Sequence, residues 1–345
     1  MPGNKKLIDI HCHTGGTGAG ESGCFISHRL RKSYKFRAYL RALGATGPDL
    51  EREGDDFSVK RLSETLSRSE RVGKAVLLAL DGVMDGAGNL DGARTEAYVP
   101  NEFVARCVRE NEGFFFGASI NPLRRDALCR LHKASEEGAV LIKWLPNIQR
   151  IDPSDERHIP FYLAMKRVGL PLLSHTGTER SFTVHADEFG DPERLRLPLT
   201  IGLTVIAAHC GGNGKYRAEK SLNRFISLCR EFPNLYGDIS ASTQINALGN
   251  FGRITKAGAL RGRLLYGTDM PLANTAAVTP FAFPFRLSPP LMVRLSRIEN
   301  PWDRDLAIKE GLGLDLSTLA DPSRMLRLPK EGKGQREGKG SSKAV

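Results

Sequence analysis

Leu7-Ile8-Asp9-Ile10-His11-Cys12-His13 is a short apolar run that ends in two histidines one residue apart. Successive residues of a strand face opposite ways, so His11 and His13 point to one side and Cys12 to the other. Two imidazoles on one face at the end of a buried strand make half of a first-row metal site. A lone His-x-His carries little weight, because histidines also pair by chance on surfaces. Its weight here comes from position, since three more strand ends carry ligand-type residues.

Short apolar or β-branched runs recur along the chain, at 7–11, 74–80, 114–120, 140–145, 171–174, 204–208, 235–239 and 263–267. Several are continuous rather than alternating, the pattern of parallel strands covered on both faces. Helical segments are predicted between them near 58–72, 101–111, 124–137, 158–168, 215–231 and 248–261. Eight strands with intervening helices spell an α/β fold, a (β/α)8 TIM barrel. The barrel is expected over 1–328, with 14–57 a lid insertion after the first strand. Asn300-Pro301-Trp302-Asp303 reads as a helix start with Asn300 as the N-cap and Pro301 at the first helical position.

Bulk properties narrow the class. A chain of 345 residues with 40% hydrophobic and 26% charged residues has the composition of an ordinary globular protein. No stretch approaches the roughly 18 apolar residues of a membrane span. Residues 1–6 lead straight into the first strand without the apolar core of a signal peptide. The six cysteines show no Cys-x-x-Cys spacing, which suits reduced thiols and a cytoplasmic location. Part of the net charge of +11 sits in 330–345, with five lysines and arginines against two glutamates. The stretch 329–345 is therefore expected to be a disordered basic tail. Arg29, Arg31, Lys32, Lys35, Arg37 and Arg41 follow one another without an intervening acid. They form either a solvated helix face or an attractor for an anionic substrate.

Barrels place their chemistry at strand C-termini. The fifth strand ends Ser174-His175-Thr176-Gly177, and the sixth ends Ala208-His209-Cys210-Gly211-Gly212. The eighth ends Gly267-Thr268-Asp269-Met270-Pro271. Four histidines and one aspartate thus converge on the mouth, a donor set that suits zinc best. The fourth strand, Val140-Leu141-Ile142-Lys143-Trp144-Leu145, buries a lysine, which is costly unless it is paired or modified. Alternation places Lys143 inside the barrel and Trp144 against the outer helices.

These motifs resemble the metal-dependent amidohydrolase superfamily, and within it the amidohydrolase-related branch. That branch holds hydrolases and lactonases together with non-oxidative decarboxylases of the aminocarboxymuconate semialdehyde decarboxylase type. The resemblance runs from about Leu7 to about Leu328, the insertion excepted. It implies a metal held by His11, His13, His175 and Asp269, with His209 on the reacting water, on the substrate or on a second metal. A lysine at the position of Lys143 either contacts the substrate or is carbamylated and bridges two ions. The branch's decarboxylases do not usually carry one.

The expected activity is therefore hydrolysis of a small, anionic amide, lactone or ester, with Asp269 as general base and His209 and Lys143 as further catalytic groups. Metal-dependent decarboxylation of an aromatic or dienoic acid is the competing reading. A nucleic-acid-binding role through the basic lid and tail is a third, and no recognition motif supports it. Arg180, His185 and Asn147 are weaker candidates for substrate contact. Asp81, Asn121, Gln149, Arg150 and Asp238 read more simply as loop caps or turn residues. The run Gly15-Gly16-Thr17-Gly18-Ala19-Gly20 lacks the Lys-Ser/Thr of a phosphate loop and is discounted. Oligomeric state is left open, with a homo-oligomer allowed.

Overall fold

A computed structural model describes residues 6–329. Eight parallel strands form one sheet: β1 (Leu7–His13), β2 (Val72–Leu78), β3 (Phe114–Ala118), β4 (Leu141–Trp144), β5 (Leu172–Ser174), β6 (Val205–Ala207), β7 (Leu235–Asp238) and β8 (Leu264–Leu265). Neighbours in the sheet are neighbours in sequence. The sheet closes where Ile10 and His13 donate backbone hydrogen bonds to Tyr266 and Met270, and where Asp269 donates to His11. The result is the expected (β/α)8 barrel.

Two apolar layers hold it. Ile10, Val76, Leu78, Leu141, Leu173, Ile206 and Leu265 pack inside the barrel. A larger cluster joins the outward faces of the strands to the surrounding helices, and Cys12 and Trp144 belong to it. Trp144 stacks on Phe161 and Tyr162 of the helix Ile159–Val168. Met325 and Leu326, near the end of the described chain, join the interior cluster. Arg327 donates its backbone N–H to Val140, at the start of the fourth strand and hence at the N-terminal end of the barrel.

The helices fall near the predicted ranges, but those predicted over 58–72 and 248–261 are shorter, Asp56–Ser67 and Asn250–Lys256, and a third differs in kind. In place of a helix over 215–231, Lys215–Tyr216 pairs antiparallel with Glu219–Lys220, and the helix is Ser221–Glu231. Arg217 and Ala218 both adopt left-handed backbone there, which makes the tight turn of that hairpin. Asn300 caps the helix Pro301–Gly311, accepting from the N–H groups of Trp302 and Asp303.

Three helices lie in the segment after β1: His28–Lys32, Tyr34–Ala42 and Gly47–Glu53. The next helix, Asp56–Ser67, is the crossover to β2. The insertion is amphipathic in a definite direction. Leu30, Phe36 and Leu40 are buried, whereas Arg29, Arg31, Lys32, Arg37 and Arg41 are exposed. The glycine-rich run wraps a carboxylate of the chain itself. Asp55 accepts from the N–H groups of Thr17 and Gly18 and from the Ser22 hydroxyl. A Cβ on Gly16 would lie 2.2 Å from an Asp55 oxygen, so only glycine fits that approach. The expected tail at 329–345 lies, but for Pro329, outside the described residues.

Candidate metal centre at the barrel mouth

The strand ends bring His11, His13, Lys143, His175, His209 and Asp269 to one place at the mouth. His11 Nε2 and His13 Nε2 lie 3.1 Å apart, and Asp269 Oδ1 is 3.4 Å from the first and 3.5 Å from the second. These are the edge lengths of a polyhedron whose metal–ligand bonds are about 2.0–2.1 Å. Lys143 is fully buried, and its Nζ lies 2.8 Å from His11 Nε2. His175 stands with a different partner. Its Nδ1 is 3.2 Å from His209 Nε2, while its own Nε2 is buried without a hydrogen-bond partner, 3.8 Å from Glu179 Oε2. The His11, His13 and Asp269 donor atoms cluster within 4.8 Å of one another, a group that does not include His175. The residues fit a divalent ion, and the orphaned His175 nitrogen is the kind of buried polar atom that such an ion relieves.

Asp238, at the end of β7, organises the cluster. Its Oδ2 accepts from His11 Nδ1 at 2.8 Å, and its Oδ1 accepts from the His209 backbone N–H and from Ser240. Ser240 Oγ also lies 2.8 Å from His209 Nδ1. A proton held on His11 Nδ1 leaves the Nε2 lone pair facing the cluster, the usual carboxylate–histidine–metal arrangement. Burial alone would raise the Asp238 carboxyl. Electrostatic attraction to the His11 and His209 rings as the carboxyl titrates in acid, together with the hydrogen bonds from His11 and Ser240, outweighs it and holds the group well below the carboxylate range.

Burial dominates the other groups. It pushes His11, His175 and His209 down to about 3, with Lys143 adding to the shift in each, so the imidazoles are neutral and able to act as ligands. It lowers Lys143 and raises Asp269, each resisted by the other's charge. The backbone is strained here too. His209, Cys210, Ala241 and Asp269 all have positive φ, which concentrates left-handed residues around the site. Gly267 allows the close packing beneath them, since a Cβ there would meet His11 Cβ at 3.1 Å.

Asp9 is a second organising carboxylate that the sequence reading did not single out. It accepts from the backbone N–H groups of His11 and Thr268, from the Thr268 hydroxyl and from Trp302 Nε1. The carboxylate thereby joins β1, the turn that carries Asp269 and the last long helix.

The weaker candidates divide. Arg180 lines the mouth, but its guanidinium bonds Asp187 and the Glu179 carbonyl, and His185 pairs with the same Asp187. Asn147 is buried and donates to the Gly177 carbonyl and to Asp187; it supports the loop after β5 and is not part of the cavity wall. Asp81 forms a buried bidentate pair with Arg124 and also accepts from the Asn121 N–H. Gln149 closes that knot by bonding the Leu145 N–H and the Asp81 carbonyl. These last three are structural.

A (β/α)8 barrel with histidines and aspartates gathered at its C-terminal mouth defines the class. The family model described as Amidohydrolase matches residues 8–291, and the chain belongs to that family of enzymes. A comparison with curated proteins gives no match. Among solved structures, an uncharacterized TIM-barrel protein of Bordetella bronchiseptica is 18% identical with a TM-score of 0.56, over 88% of this chain and 99% of that one. A 5-carboxyvanillate decarboxylase of Sphingomonas paucimobilis is 13% identical with a TM-score of 0.47, over 94% and 100%. An N-acetyl-D-glucosamine-6-phosphate deacetylase of Mycobacterium smegmatis is 12% identical with a TM-score of 0.45, over 94% and 78%. The first likeness is one of fold; the other two superpose too loosely to carry any argument. Among the described residues no helix is long and apolar enough to cross a membrane.

Proposed function

We propose that this chain is a metal-dependent hydrolase of an amide, lactone or ester bond, with zinc held by His11, His13, His175 and Asp269. The observation that carries the reading is Lys143, a fully buried amine 2.8 Å from a histidine of the cluster. When bound, a divalent ion supplies Lewis acidity and makes water a nucleophile near neutral pH. Asp269, ionised beside the ion, would accept the water's proton at a carboxylate oxygen. It then returns the proton to the leaving group. His209 is oriented through Ser240 and offers an imidazole to the oxygen on which negative charge develops. Lys143 would either donate to that oxygen as an amine or, once carbamylated, bridge to a second ion that His209 would also hold.

The test is a screen of lactones, amides and aromatic carboxylates that reads acid production and carbon dioxide release together. Acid production that is lost in Lys143→Ala, while metal content and fold are retained, supports the hydrolase. Carbon dioxide release without hydrolysis, undiminished in Lys143→Ala, replaces it with the decarboxylase. Metal content equal in the wild type and a His11→Ala/His13→Ala variant refutes the metal site itself.

A further inference from the structure

The cavity above the cluster encloses about 1460 Å³, counting the part open to solvent, and its upper wall is hydrocarbon. The insertion supplies Phe25, Ile26, Leu30, Phe36 and Leu40 to it, and Leu145 faces them from the barrel. Among the described residues lining it, Arg180 is the one arginine or lysine, and its guanidinium is engaged by Asp187. The cation next to it is engaged as well. Lys35 Nζ donates to the carbonyls of Arg180 and Phe182, latching the insertion onto the loop after β5. Two acids, Glu179 and Asp269, do line the wall. Arg29, Arg31, Lys32, Arg37 and Arg41 of the insertion are exposed and do not line the cavity. Gln244 also lines the cavity, and its buried amide nitrogen has no partner, so the polar donor on offer there is neutral.

A carboxylate on the substrate's distal part would therefore be desolvated against hydrocarbon, and the one cation in the wall is already paired with Asp187 through Nη1. Apolar surface placed there instead gains the ordinary transfer energy of burial. We infer that the substrate carries an uncharged, apolar tail of several carbons, which the insertion's inner face receives and which sets specificity. The inference rests on the hydrolase reading for the bond cleaved, but not for the binding of the tail.

Two measurements separate the two claims. The first is kcat/KM for neutral γ-alkyl lactones from γ-butyrolactone to γ-decalactone, beside a γ-lactone that carries a carboxylate. The second is binding of the neutral fluorophore 6-propionyl-2-dimethylaminonaphthalene to the metal-loaded protein, with γ-decalactone as competitor. The expected results are a rise in kcat/KM of about two- to fourfold per methylene and saturable binding that γ-decalactone displaces. Ala97 lines the cavity and pairs with Ile26 in a short antiparallel ladder, so Ala97→Trp, which fills the cavity, should weaken both tenfold or more while sparing γ-butyrolactone turnover. Ile26→Gln, which puts a polar group in the neighbouring wall, provides a second variant if the first misfolds. Fluorophore binding that obeys these variants without hydrolysis of any lactone removes the hydrolase reading and leaves the apolar tail standing. A wild type that binds no fluorophore, or that prefers the carboxylate lactone over an alkyl one of equal size, overturns the inference.

Discussion

Which nitrogen of His11 faces the cluster is decided by Asp238, whose carboxylate accepts a hydrogen bond from the Nδ1–H. Asp238→Asn keeps the volume but removes the charge that favours this tautomer. Metal affinity is expected to fall by about 10–100-fold with the fold intact, the usual cost of losing such a support. Competitive titration against a chelating dye reads this, and unchanged affinity would show that Asp238 is only a loop cap. A different histidine bears on acid stability. His158 is buried against Trp144 and Tyr162, and neither of its ring nitrogens has a partner. Burial lowers its proton affinity below the ordinary 6.5. Above that value both the folded and unfolded chains hold it neutral. As the pH falls through it, the unfolded chain gains a proton that the folded chain resists, and stability is lost. His158→Phe removes this term. The variant's Tm should therefore drop less than the wild type's between about pH 7.5 and 5.5, with titration of the metal ligands common to both. Parallel Tm–pH curves would refute it.

The strands that carry His11, Lys143, His175, His209 and Asp269 were legible because strands covered on both faces read as apolar runs, and a polar residue stands out at their ends. Asp9 was not, although it lies in the same run as His11. The register of β1 against β2 shifts between Asp9 and Cys12. That irregularity breaks the alternation beyond Ile10: Ile8 and Ile10 pack inside the barrel and Asp9 reaches Trp302 in the helical layer, yet His11 and His13 face the mouth and Cys12 joins the outer cluster. Asp238 was hidden for another reason: one acid ending a strand looks the same whether it caps a turn or orients a histidine two hundred residues away. The insertion's amphipathic character was legible, but not which side it turns to the mouth. Its anchorage is testable. Asp55→Ala strands the N–H groups of Thr17 and Gly18 and the Ser22 hydroxyl, at a cost of about 2–4 kcal/mol. Tm should fall accordingly, and limited proteolysis should cut first within 14–55. Cleavage elsewhere first would mean that the insertion is held by its apolar face alone.

The two ends of the barrel are built for different tasks, and they should fail in different ways. At the C-terminal end, buried carboxylates, neutral imidazoles and left-handed backbone are gathered around one cavity, an arrangement that gains its stability back only when a ligand satisfies it. At the other end, Met325 and Leu326 fill the barrel's floor with hydrocarbon and carry no chemistry. Chelation should therefore lower Tm, and added zinc should restore it, with the size of the shift growing with zinc concentration. Met325→Ala should cost about 2–4 kcal/mol of stability through the lost burial and the cavity left behind, and so lower Tm irrespective of metal. Turnover per folded molecule and metal stoichiometry should stay at wild-type values, because no hydrogen bond of the cluster passes through the floor. Asp238→Asn should act differently, shrinking the zinc-dependent part of Tm as well as lowering the metal-free value, because it removes the charge that sets the His11 tautomer. Measuring Tm with and without zinc for both variants places each on its own axis. A Met325→Ala protein that loses metal along with stability would show that floor and mouth form one cooperative unit rather than two separable ones.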